Sequence, residues 1–158
     1  MTDADWAVKH STSGWVFRFC RAAITWGSKK QKSVALSSCE SEIMAASEAA
    51  KEAVALNRMF TELGLKDEDE SIELGCDNQA AINLSYNPEH HDRVKHVERR
   101  HFFIRECVEN GQLTVPYVNT VDNLADFFTK PLQGDHFFSM RDAIMNCDSK
   151  RARSLRGT

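Results

Sequence analysis

From Ser37 to Gly64 the chain reads SSCESEIMAASEAAKEAVALNRMFTELG, about seven helical turns of strong helix formers closed by a glycine suited to a C-cap. Ile43, Ala46, Ala50, Ala53 and Val54 keep the three-and-four spacing of one face, and Ala45, Ala49, Leu56 and Met59 widen it. A surface that broad should lie against a sheet. At 158 residues the chain has room for one α/β domain built around this helix and not for two.

Strand signals stand on both sides of it. Trp15 to Cys20 mixes aromatic and β-branched residues after the turn-like Ser11-Thr12-Ser13-Gly14, and Ala22 to Trp26 follows at once, which reads as an antiparallel hairpin. Beyond a charged loop, Lys66 to Glu70, Ser71 to Cys76 alternates like a strand. A short helix over Asn78 to Tyr86 stops at Asn87-Pro88, and a second spans Val94 to Glu109, closed by Asn110-Gly111. Leu113 to Val118 is the last strand, and Pro116 places it at a sheet edge. A final helix, about Val121 to Met145 with a break near Pro131, gives the order βββαβααβα.

Hydrophobic residues make up 42% and charged residues 27%, which excludes a disordered chain. No apolar run approaches the ~20 residues of a membrane span, and the acidic start MTDADW is unlike a secretory leader, so an intracellular protein is expected. The five cysteines are scattered and never paired as C-x-x-C, as expected of reduced thiols. The net charge is −3, yet the last eleven residues carry +3, leaving −6 for the rest. The body is therefore no general polyanion binder, and work on nucleic acid needs local basic patches or carboxylates that hold metal ions against phosphates.

Four acids could do the latter. Asp3 shares a strand face with Asp5. Glu42 has no structural duty, whereas Glu40 forms a capping box with Ser37. Asp77 lies where a strand ends and a helix begins, a position that N-capping or ligand binding would each explain. Asp126 stands in the second turn of the final helix among Leu124, Ala125, Phe127 and Phe128, where Asp has poor propensity. Were all four to converge, repulsion would make the cluster costly without hard divalent cations. Such a site suits two-metal phosphodiester hydrolysis. His91, His96 and His101 recur every five residues, the wrong spacing for one helical face, so a zinc site is not expected. His90 to His96 reads as a partly cationic loop open to phosphate contacts, and residues 147–158 as a basic, disordered tail behind a domain of residues 1–146, with a nuclear address or nucleic-acid arm as its other reading.

Several segments together resemble the ribonuclease H domain that ends the Pol polyprotein of copia-type long-terminal-repeat retrotransposons. They are Asp3 to Ala7, Ser11 to Gly14, Ser28 to Gln31, Val34 to Glu42, Asp77 to Ile82, Lys95-His96, Phe103 to Glu106 and Leu124 to Leu132. The resemblance implies a ribonuclease H-like α/β fold, a mixed five-stranded sheet in order 3-2-1-4-5 flanked by helices. It implies that Asp3, Glu42, Asp77 and Asp126 are the catalytic acids and hold two Mg2+ ions, replaceable by Mn2+, one activating water and the other stabilising the leaving 3′ oxygen. Arg93, Lys95, His96, Asn78 and Gln79 are the expected nucleic-acid contacts. The implied activity is hydrolysis of the RNA strand of an RNA/DNA hybrid during retrotransposon reverse transcription. The implied partners are that hybrid and the upstream reverse transcriptase domain of the same polyprotein, in the cytoplasm within a virus-like particle, with nuclear access. Only Met1 and Thr2 precede Asp3, and only Val8-Lys9-His10 part Ala7 from Ser11, so a central strand cut short and a fragment of a longer polyprotein are expected. No histidine lies in Tyr117 to Val121, before the last acid, where cellular relatives carry a mobile one. The rival reading is a catalytically silent relic that only binds nucleic acid or tethers a reverse transcriptase.

Overall fold

The computed structural model describes residues 1–6, 10–67, 69–86 and 95–147, the side chains of 95–98 excepted. Three antiparallel strands open the fold: β1 (Thr2–Asp5), β2 (Thr12–Phe19) and β3 (Ala22–Lys30), in the order β1-β2-β3. Cys20 and Arg21 turn the hairpin with positive φ at both, 50° and 71°, the two-residue geometry whose twist matches the flanking strands. Beyond α1 (Ser38–Glu62), β4 (Ile72–Glu73) pairs in parallel with β5 (Leu113–Thr114), separated from it in sequence by α2 (Gln79–Tyr86) and α3 (Lys95–Glu109).

The five strands thus form two ladders, one of three strands and one of two, rather than one continuous sheet. They meet where the Thr2 N–H donates to the Gly75 carbonyl, 2.9 Å, which sets β1 beside the β4 segment in the expected order. β5 lies at the edge, as Pro116 suggested, but the proline acts on the inner side. The Thr114 and Pro116 carbonyls accept from Leu74 and Cys76, so Pro116 lacks the N–H that an unbroken ladder would send back towards Leu74. Pairing accordingly lapses after Thr114 and resumes as the bridge between Cys76 and Tyr117.

Helix α1 buries Ile43, Ala46, Ala49, Ala50, Ala53 and Leu56 in one cluster with Phe17, Leu74, Ile104 and Leu113. Its alanines let the backbone approach the sheet closely. Ser37 caps it by accepting from the Glu40 N–H at 3.1 Å, while the Glu40 carboxylate returns to the Leu36 N–H at 2.7 Å, one residue before the position a capping box uses. Gly64 at φ +65° ends it.

The expected final helix does not run from Val121. Asn119 and Asn123 each accept a hydrogen bond from the N–H two residues on, and the segment breaks into two 3₁₀ turns, Thr120–Asp122 and Leu124–Phe128, before α4 (Gly134–Ile144). The second turn packs on β2 at Gly14, where a Cβ would come within 2.6 Å of Thr129 Cγ2. Among the described residues no helix is long and apolar enough to cross a membrane, and all five cysteines are free thiols. Residues 148–158 of the basic tail, and residues 87–94 with His90, His91 and Arg93, lie outside the described residues.

Candidate active site

Four elements deliver the acids. Asp3, 1% exposed, projects from β1 to the side of the second 3₁₀ turn, where the Thr129 hydroxyl donates to its carboxylate. Asp126 lies in that turn, and Asn123 anchors it: the Asn123 Nδ2 donates to the Thr2 carbonyl at 2.9 Å and its Oδ1 accepts from Ala125 N–H at 3.2 Å. Asp77 follows the Cys76 bridge. It does not cap α2, because Asn78 accepts from the Ala81 N–H at 3.1 Å, so its carboxylate is left to the cluster. Glu42 reaches down from the first turns of α1, and its Oε1 accepts from the Ala4 N–H at 3.3 Å.

Carboxylate oxygens of Asp3, Asp77 and Asp126 lie within 4.8 Å of one another, and Glu42 and Asp77 approach to the same limit together with the Cys76 sulfur. The second oxygen of Glu42 is buried without a hydrogen-bond partner. Burial, and then the charges of Asp3 and Asp77, push the Glu42 carboxyl up to about 9. Burial and Asp3 raise Asp126 to about 6. The Cys76 thiol is pushed up to about 12 by burial and keeps its proton, so the available donors are oxygens. An all-carboxylate set with an orphaned buried oxygen fits a hard divalent cation.

The sequence reading did not single out Lys130. Its Nζ lies 3.1 Å from Asp126 Oδ1 and 3.4 Å from Asp3 Oδ2, bridging the two. Burial alone disfavours its ammonium, but the two carboxylates outweigh that and hold its pKa above the ordinary lysine value. The four-residue spacing from Asp126 was the available signal. Of the expected nucleic-acid contacts, Asn78 is engaged as the cap and the exposed Gln79 pairs with Asn83 at 3.0 Å. Arg93 and the side chains of Lys95 and His96 lie outside the described residues.

No protein-family model matches the chain. Among solved structures it superposes on ribonuclease H1 of Halobacterium salinarum with a TM-score of 0.52 at 16% identity, over 81% of this chain and 90% of that one. The fold is ribonuclease H-like. By sequence, 147 residues, 90% of the chain, are 42% identical to the retrovirus-related Pol polyprotein from transposon TNT 1-94 of Nicotiana tabacum. A further 39% identity extends over 153 residues of the corresponding polyprotein from transposon RE1 of Arabidopsis thaliana. The chain is thus a homologue of retrovirus-related Pol polyproteins of plant transposons, and it spans about a tenth of their length, 11% and 10% respectively.

Proposed function

We propose that this domain hydrolyses the RNA strand of RNA/DNA hybrids as part of retrotransposon reverse transcription, with Asp3, Glu42, Asp77 and Asp126 as its catalytic, metal-holding acids. The observation that carries the reading is the convergence of Asp3, Asp77 and Asp126 from three separate elements, with the unpartnered Glu42 oxygen alongside. A cluster of this kind destabilises the fold that bears it, so a purely structural role is a poor account of it. Two divalent ions, Mg2+ or Mn2+, would supply Lewis-acid activation of water and charge stabilisation at the leaving 3′ oxygen. The protein's own part is to fix the donors. Thr129 orients Asp3, Asn123 fixes the turn that bears Asp126, and the Ala4 N–H aims Glu42. Lys130 holds the charge of Asp3 and Asp126 in check, and Glu42 keeps a proton until cations arrive. The reading brings with it a reverse transcriptase domain as neighbour and an intracellular setting.

The test is cleavage of a hybrid labelled in its RNA strand, with single-stranded RNA and duplex DNA as controls. Mg2+-dependent cutting of the hybrid is expected, and Asp77→Asn should lower it by a factor on the order of 10² or more while leaving the fold intact. Cleavage that survives chelation, or a variant as fast as the parent, refutes the assignment. Lys130 supports a second reading, a silent nucleic-acid-binding fragment, because its ammonium already supplies one positive charge to the cluster. That reading holds if hybrid binds and no divalent ion promotes cutting.

A further inference from the structure

Gln31 directly follows β3 and is 7% exposed. Its backbone N–H donates to the Ser11 carbonyl at 2.8 Å. Its side-chain Nε2 donates twice, to Ser13 Oγ and to the Ser41 carbonyl, each at 2.9 Å. The Oε1 of the same amide is buried and, among the described residues, has no hydrogen-bond partner. Burying an unpaired acceptor is unfavourable, so what this side chain contributes is its pair of donors.

One of those donors ends on the peptide that leads into Glu42. The Ser41 hydroxyl cannot tie this turn to the sheet, because it donates to the Ser38 carbonyl at 2.7 Å. Packing does not hold the turn on the β3 side either, where Ser13, Lys29, Gln31, Met44 and Glu48 line a cavity of about 240 Å³. Gln31 therefore spans from β2 to the helix beside an open gap. At the far end of Glu42 the acceptor is equally specific. Met1 and Val16 exchange both backbone bonds, so the odd residues of β1 face β2, and Thr2 and Ala4 turn their N–H groups the other way. The Thr2 N–H meets the Gly75 carbonyl, whereas the Ala4 N–H meets Glu42 Oε1 at 3.3 Å. Ala4 is the register partner of Ser13. The contacts close a ring from Gln31 Nε2 through the Ser41 carbonyl, the Glu42 carboxylate and the Ala4 N–H, and back across the β1–β2 pair to Ser13.

We propose that Gln31 is a positioning residue for the acid cluster, its amide fixing the first turn of α1 at the height over the sheet from which Glu42 reaches both the Ala4 N–H and Asp77. Its consequence for metal rests on the reading of Glu42 as a metal-holding acid; its geometry rests on the ring alone. Without the two bonds α1 stays packed through the alanines further along its length, while its first turn is free to lift into the adjoining cavity and carry Glu42 away from Asp77.

The test is Gln31→Met, which keeps the reach of the side chain while removing both donors and the orphaned oxygen together. Amide hydrogen exchange at Ala4 is the direct readout, because Glu42 is the acceptor of that N–H, and it needs neither metal nor hybrid. Exchange there should quicken by about tenfold or more, while the β2–β3 ladder, the interior of α1 and the thermal midpoint stay close to the parent. Mg2+ alone, titrated calorimetrically, should bind severalfold more weakly, and adding Gln31→Met to Glu42→Ala should weaken it no further. Ser13→Ala, which cuts the brace from β2, should give a smaller rise at Ala4 and decides the matter if the first variant fails to fold. Unchanged exchange at Ala4 in whichever variant folds, or an equal rise across ladder and helix, assigns Gln31 to overall stability and overturns the proposal. An additive loss of Mg2+ binding in the double variant overturns it as well. A parent that binds no Mg2+ refutes the metal reading instead, and exchange at Ala4 still decides the brace.

Discussion

Glu42 is the residue under greatest tension. Its carboxyl is pushed up to about 9, so at neutral pH the folded protein holds a proton there that the unfolded chain releases. Glu42→Gln, which keeps the neutral shape, should raise the metal-free thermal midpoint at pH 8 by a stabilisation of ~1–3 kcal/mol, with no gain near pH 4.5. A gain of equal size at both pH values would show that protonation is not the cause. Lys130 acts in the opposite sense, as a resident cation between Asp3 and Asp126. Removing it with Lys130→Met should lower metal-free stability and tighten Mg2+ binding severalfold in a calorimetric titration, since no ammonium then competes for the carboxylates. Weaker binding would mean that Lys130 orients the acids rather than occupying their field. Glu42 and Asp126 stood out because each had a poor structural excuse in the sequence, whereas Asp77 could equally have capped a helix and Asp3 was separated from Asp5 only by the resemblance. Lys130 did not stand out, since a lysine four residues after an aspartate is ordinary on any surface, and only the approach of β1 turns this one inward.

Among the elements, the segment from Asn119 to Thr129 departs most from the sequence reading. Its apolar spacing suits an α-helix, but two asparagines bond their own backbone and cut it into 3₁₀ turns. Periodicity could not reveal this, because the competing side-chain bonds carry no period. The long helix, by contrast, was legible almost to the residue, since alanine spacing, a capping serine and a terminal glycine all agree. Asn123 does two jobs, capping the second turn and tying it to Thr2 while fully buried. Asn123→Ala should therefore destabilise the fold by ~1–3 kcal/mol through the unpaired Thr2 carbonyl and the lost cap. It should also weaken Mg2+ binding, because Asp126 rides on that turn. A variant that melts lower yet binds Mg2+ as tightly would separate the two roles.

At the scale of the whole molecule, opposing titrations meet. Glu42, and Asp126 up to about 6, make the folded state bind extra protons, so their contribution to stability falls as pH rises, for Glu42 from about 4.5 to about 9. The Met1 amine, lowered by burial to about 5 from 8.0, sheds its proton on folding and contributes the reverse slope between those values. Each proton is worth up to ~1.4 kcal/mol per pH unit, so the two nearly cancel from pH 5 to 8. Acetylating the amine should unmask a midpoint that declines steadily from pH 5 to 9, and Mg2+ should flatten it; a rising midpoint in the acetylated protein refutes the assignment. The tie between Thr2 and Asn123 crosses 121 residues, and Thr129 reaches Asp3 across 126. Translation runs from one end to the other, so a ribosome that has made Asp3, Glu42 and Asp77 has made three of the four clustered acids and nothing that fixes Asp3 from the far end. Until the turn bearing Asp126 has emerged and closed on the first strand, the nascent polypeptide carries a carboxylate cluster that lacks one of its members and the lysine that bridges two of them.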